Sequence, residues 1–204
     1  MNGWRLVGTL SLLISAMTLY LMASHGWDVD GVRLAIRATA RTSLVLFALA
    51  FTASAMVELL PSDATRWQRR NRRYLGVSFA VSHFIHLGAI LALATLDREL
   101  FWKLTNVMTI VLAGAAYLFI AAMTATSFDR TAAWLGPRKW RLLHLIGGWY
   151  IWISFAVAVG KRVPVDSFYW PMAVLILAIA VVRLIVMFRR GRRRITLGAS
   201  RVPA

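Results

Sequence analysis

The chain has 204 residues, of which 59% are hydrophobic, and a mean hydropathy of +0.65; a soluble domain carries roughly 45–50% apolar residues, so lipid must be part of the solvent. It contains no cysteine, which excludes disulfides, thiolate metal sites and cysteine nucleophiles. Its 24 basic against 8 acidic residues give a formal net charge of +16, but the basic residues lie between and after apolar runs, where membrane topology accounts for them and no nucleic-acid partner is expected.

Six apolar runs follow in chain order: 4–24, 39–60, 75–96, 105–125, 141–159 and 169–188. Each is about 19–22 residues long, enough to cross a hydrocarbon core of ~30 Å at 1.5 Å per residue. The predicted fold class is therefore an all-α membrane protein, a six-transmembrane-helix bundle over residues 1–188 with a basic tail at 189–204. The first run is too long for a signal-peptide core and has no clear small-residue cleavage site, so it reads as a span.

Charge in the connections orients these spans. Arg66, Arg69, Arg70, Arg72 and Arg73 follow the second run; Arg130, Arg138 and Lys139 follow the fourth; Arg189, Arg190, Arg192, Arg193 and Arg194 follow the sixth. The connections after the third and fifth runs are nearly balanced in charge. This alternation predicts both termini in the cytoplasm, with Arg33 and Arg37 as the exception on the outside. All connections are short and none has a Gly-rich phosphate loop, so any chemistry has to occur inside the bundle.

Ionisable residues within spans are functional candidates because lipid makes them costly. His83 and His86 share one face of the third span, His144 opens the fifth, and His25 ends the first. Neutral imidazoles from two helices are the usual ligands of a b-type haem; hydrogen bonding across helices is the plainer alternative. Counted from the start of each run, His83 lies roughly 12 Å deep, His86 roughly 16 Å and His144 about 5 Å. Depth favours His83 as the partner of His144.

Two stretches carry a family resemblance. RRYLGVSFAVSHFIHL (72–87) resembles the Arg-Arg-x-Leu-Gly…His segment of the ferric-reductase-like transmembrane family. TSFDRTAAWLGPRKWRLLHLIGGWY (126–150) resembles the Thr-Ser…Leu-Gly-x-x-Trp-x-x-Leu-His…Tyr segment of one branch, the haem-bearing membrane subunits of bacterial methionine sulfoxide reductase systems. The resemblance implies a bacterial inner membrane protein with haem ligands at His86 and His144, and favours His86 as the partner. It also implies a quinol or flavin reductase as electron donor and a protein redox partner or larger membrane complex as acceptor. Where the family places a further histidine, 13 residues after His144, this chain has Val157.

One b-type haem is therefore expected, with His83, His86 and His144 as metal-ligand candidates. Arg33, Arg37 and Arg41 recur every four residues; Arg37 and Arg41 are candidates to hold haem propionates, against a lipid-headgroup edge as the alternative. Arg183 is expected to snorkel, and Glu58 to pair with the Arg66–Arg73 cluster. Trp140, Trp149, Trp152, Tyr169 and Trp170 suit aromatic belts. The functional reading is electron transfer, with no flavin or nicotinamide domain of its own. Its alternatives are a haem-free accessory subunit of the same fold and a small transporter or proton conductor.

Overall fold

The computed structural model describes residues 2–199, with side chains described through residue 192. Every regular element among them is helical: α1 Trp4–His25, α2 Val29–Leu59, α3 Asp63–Arg70, α4 Arg72–Leu96, α5 Arg98–Leu104, α6 Val107–Ala125, α7 Asp129–Leu135, α8 Pro137–Gly160 and α9 Trp170–Ala199, the last preceded by a 3-10 turn at Ser167–Tyr169. Six segments are long and apolar enough to cross a membrane: α1, α2, α4, α6, α8 and the Ser167–Arg192 segment that contains most of α9. The protein is an all-α, six-helix, multi-pass membrane bundle.

The short helices α3, α5 and α7 lie in the connections, and side chains set where helices begin. Ser62 and Thr65 form a reciprocal capping box at the start of α3. Asp97 accepts the Leu100 N–H at 2.9 Å to open α5, and Asn106 accepts the Thr109 N–H at 2.9 Å to open α6. These oxygens satisfy N–H groups that have no partner within their own helix.

Two helices run past the predicted spans. α2 begins at Val29, ten residues before the apolar run, because Asp28 caps it by accepting the N–H groups of Asp30 and Gly31 at 3.0 and 3.2 Å. The three arginines 33, 37 and 41 are thus helical, and hydropathy alone hides that. α9 continues without a break through residue 188 to Ala199, so helix and tail share one element as far as the structure describes them; residues 200–204 of the expected tail lie outside the described residues.

Five long helices close a ring through neighbouring contacts, α2 to α4 to α6 to α8 to α9 and back to α2, and α1 lies across the α2–α4 pair. The α2–α4 seam is built from small residues. Ala35, Thr39 and Ser43 on α2 and Ser78 and Ser82 on α4 are all wholly buried small side chains. Ser43 donates to Ser82 Oγ at 2.9 Å, and Ser82 Oγ lies 3.4 Å from the Thr39 carbonyl. Small side chains let backbones approach closely, which supplies the packing that lipid-exposed Leu cannot; each interhelical hydrogen bond adds about 0.6 kcal/mol.

Side chains fill the ring's interior in layers. At mid-depth Phe47 stacks on Phe51 at 5.0 Å and meets Phe79 at 5.5 Å and Phe155 at 5.6 Å. α4 and α8 face each other across this aromatic layer. On the arginine-rich face, Asn71 accepts the Gly3 N–H at 3.1 Å and donates to Asn2 Oδ1 at 2.9 Å, while Arg73 pairs with Asp129 at 2.7 Å. The N-terminal end of the described chain therefore sits on this basic face.

Candidate functional site

His86 sits on α4 in register with the small residues of the seam, one turn beyond Ser82. Its Nδ1 lies 3.1 Å from the Ile36 carbonyl and 3.1 Å from Thr39 Oγ1. The carbonyl can only accept. The Thr39 hydroxyl hydrogen is engaged with the Ala35 carbonyl at 2.7 Å, so this oxygen also accepts. Both contacts therefore require the proton on Nδ1, which leaves the lone pair on Nε2. No described residue hydrogen-bonds that Nε2.

His83 is one turn nearer the basic face and turned into the ring. Its imidazole is surrounded by rings: Tyr117 at 4.9 Å, His86 at 5.3 Å, Phe79 at 5.4 Å and Phe155 at 5.7 Å. The Tyr117 hydroxyl donates to the His83 carbonyl at 3.2 Å, not to its ring, and His83 Nδ1 is buried without a partner. An unsatisfied buried nitrogen costs about 1–3 kcal/mol.

His144 lies elsewhere. Its ring stacks on Trp140 at 4.1 Å and its Nε2 is 3.5 Å from Thr126 Oγ1. Arg72, the first residue of α4, acts on it electrostatically and lies 6.0 Å over the Trp140 ring. The residue of α8 that reaches His83 is Phe155, eleven positions after His144. Eleven positions on α4 also separate Arg72 from His83. Two parallel helices in this register hold His144 roughly 16 Å along the axis from His83, and farther from His86. The structure thus does not bring His144 to either imidazole of α4, and the expected pairing across spans three and five is not formed. Sequence depth missed this because the two helices are staggered along their axes: Arg72, at the start of α4, lies beside Trp140 and its neighbour His144, which is two turns into α8.

Among the described residues no group of three or more His, Asp or Glu side chains is placed to hold a metal ion. A two-imidazole haem site spanning α4 and α8 does not fit the residues present. The His86 ring is fixed in the tautomer that leaves Nε2 available as a ligand atom.

The outer arginines have partners of their own. Arg33 approaches Asp30 at 3.8 Å, Arg37 Nε donates to the Arg33 carbonyl at 3.3 Å, and Arg41 lies 4.3 Å over the Phe168 ring. A cation that sequence reading passed over, Arg162 at the end of α8, acts electrostatically on His86 and donates to the Tyr169 hydroxyl at 3.0 Å. No local pattern announces it, since 76 positions of chain separate Arg162 from His86. Glu58 does not pair with the Arg66–Arg73 cluster as expected; it accepts from Arg190 at 2.7 and 2.9 Å. Trp149 and Trp152 do not form a belt either. They meet at 5.6 Å, Trp149 packs edge-on to Phe51 at 5.5 Å, and Trp152 donates to the Ile176 carbonyl at 3.0 Å.

No family model, no curated protein and no solved structure gives a significant match to this chain.

Proposed function

We propose that this chain is a membrane-embedded electron-transfer protein that carries one b-type haem on His86. The observation that supports this most is the fixed tautomer. A metal-ligating imidazole characteristically donates its other N–H to a carbonyl or carboxylate, which orients the ring and raises its basicity, and His86 makes that bond to Ile36. The haem would supply reversible one-electron chemistry. The chain's part is to hold the His86 imidazole through Ile36 and Thr39, to pack it against His83, which Phe79, Tyr117 and Phe155 surround, and to place the Arg162 charge nearby.

The donor in this reading is a quinol or a flavin reductase and the acceptor a protein redox partner or larger membrane complex, as in the ferric-reductase-like family. The basic face, which carries Arg66–Arg73, lies in the cytoplasm of a bacterium, following the charge bias of its connections.

A second reading is a haem-free accessory subunit of the same fold. Val157 in place of a histidine, and the axial offset of His144, favour it. Proton or solute transport is disfavoured by the aromatic layer of Phe47, Phe51, Phe79 and Phe155 across the ring. A pyridine haemochrome assay with a dithionite-reduced-minus-oxidised spectrum decides between the first two. Haem present in the wild type and lost in His86→Ala supports the first; a colourless wild type, purified from haem-replete cells, establishes the second.

A further inference from the structure

The half of the ring nearest the basic face holds more positive charge than its own residues neutralise. Arg183 projects from α9 into the bundle with its guanidinium carbon 4.3 Å from the centre of the Phe51 ring. Its Nε is buried and has no hydrogen-bond partner. Arg72 enters from α4, donating to Ser54 Oγ at 2.9 Å. Arg190, two turns beyond Arg183 on α9, gives Nε and Nη2 to the single oxygen Oε2 of Glu58. Phe51 and Ser54 are three residues apart on α2, so Arg183 and Arg72 meet the same face of that helix.

Glu58 is the one carboxylate paired with these three guanidiniums among the described residues. Two positive charges are left over, that of Arg183 half-buried in the ring and that of Arg72 at its exposed edge. Like charges gathered away from water are destabilising unless an anion joins them. The planar guanidinium fork matches phosphate oxygens two at a time. Leu184, Ile185 and Met187 on the same helix are exposed to the lipid side, so an anion attached to acyl chains has apolar surface to lie against.

We propose that Arg183 of α9 and Arg72 of α4, with Ser54 of α2, bind the phosphate of an anionic phospholipid at the basic face of the bundle. Arg183 reaches the phosphate through its Nη groups, its Nε being buried, Arg72 neutralises the second charge, and Phe51 and Trp149 form the apolar wall. This site stands whether or not the protein carries haem.

The test uses full-length protein in mild detergent, with phosphatidylglycerol, phosphatidylcholine or inorganic phosphate added, read by native mass spectrometry and thermal unfolding. Phosphatidylglycerol is expected to stay bound to the wild type and raise its unfolding temperature. In Arg183→Gln and in Arg72→Gln it should bind about tenfold more weakly, the loss expected for one charged hydrogen-bond partner. Without lipid, Arg183→Gln should be at least as stable as the wild type, because an uncompensated charge has gone. Arg183→Lys should keep a reduced lipid response. Equal phosphatidylglycerol retention by the wild type and both Gln variants overturns the proposal. So does a loss of stability in Arg183→Gln that is the same with and without lipid, which would make Arg183 a packing residue. An equal response to phosphatidylcholine removes the charge selectivity, and an equal response to inorganic phosphate removes the lipid. If Arg183→Gln does not fold, Arg72→Gln carries the same comparison.

Discussion

Adjacent glycines on α8 provide a test of how tightly the ring is packed. A Cβ added at Gly148 would stand 2.5 Å from Phe51 Cε2 and 3.1 Å from Cδ2, whereas one at Gly147 would meet the Met123 sulfur at 2.6 Å and Phe119 Cδ1 at 3.1 Å. Replacing Gly by Ala inside a helix gains about 0.8–1.0 kcal/mol of propensity at either position. Overpacking costs about 1–3 kcal/mol where neighbours cannot give. Met123 is an unbranched chain that can turn away. Phe51 is held by Phe47 at 5.0 Å, Trp149 at 5.5 Å and the Arg183 guanidinium at 4.3 Å, and it must move by about an ångström to reach ordinary contact. Gly147→Ala should therefore be neutral or stabilising by up to about 1 kcal/mol. Gly148→Ala should be destabilising by up to about 2 kcal/mol net, up to roughly 8 °C in unfolding temperature for a chain of this size. Intrinsic tryptophan fluorescence in detergent reads both, since Trp149 adjoins the altered residue. Equal stability of the two variants, or a more stable Gly148→Ala, would refute the packing assigned to Phe51.

Four further outcomes follow from the geometry. His86→Ala should lose bound haem, while His144→Ala should retain the wild-type optical spectrum, because about 21 Å of helix separates the two levels; loss in His144→Ala alone would reinstate ligation from α8. A double-mutant cycle between Ser43→Ala and Ser82→Ala should give a coupling energy of about 0.6 kcal/mol, and zero coupling would mean that their hydrogen bond does not form in lipid. Arg190→Gln should lower stability and Glu58→Gln should do so less, because the Glu58 carboxylate, only 25% exposed, loses more by being left unpaired than the exposed Arg190 guanidinium does. Reporter fusions should place the connections at 61–71 and 126–136 on the same side as both termini; a split result would contradict the ring.

The six spans were legible because hydropathy over about 20 residues responds directly to the solvent a helix needs. The first ten residues of α2 were not, since Arg33, Arg37 and Arg41 depress the apolar signal and the helix start depends on the Asp28 cap. The histidines were legible as ionisable groups inside spans, but their company was not. Whether His83 meets His144 or Phe155 is fixed by the axial register of α4 against α8, and no local pattern records that register. One clue was present and unread: Ser78, Ser82 and His86 recur every four residues opposite Ala35, Thr39 and Ser43, a spacing that places His86 in a close helix seam. Glu58 was assigned to nearby arginines when its partner lies 132 positions away.

The length of α2 bears on where this protein can reside. Its 31 residues extend about 46 Å, against a hydrocarbon thickness of about 30 Å. A lone helix could absorb the surplus by leaning over, but α2 touches α1, α4 and α9, so leaning would carry the whole ring with it. Some three turns, those with Arg33, Arg37 and Arg41, must instead stand in the headgroup zone. There, long cationic side chains adjust their reach to whatever bilayer surrounds them. The bundle is thereby suited to membranes of differing thickness, whereas α6, at 19 residues, has no such margin and sets the upper limit.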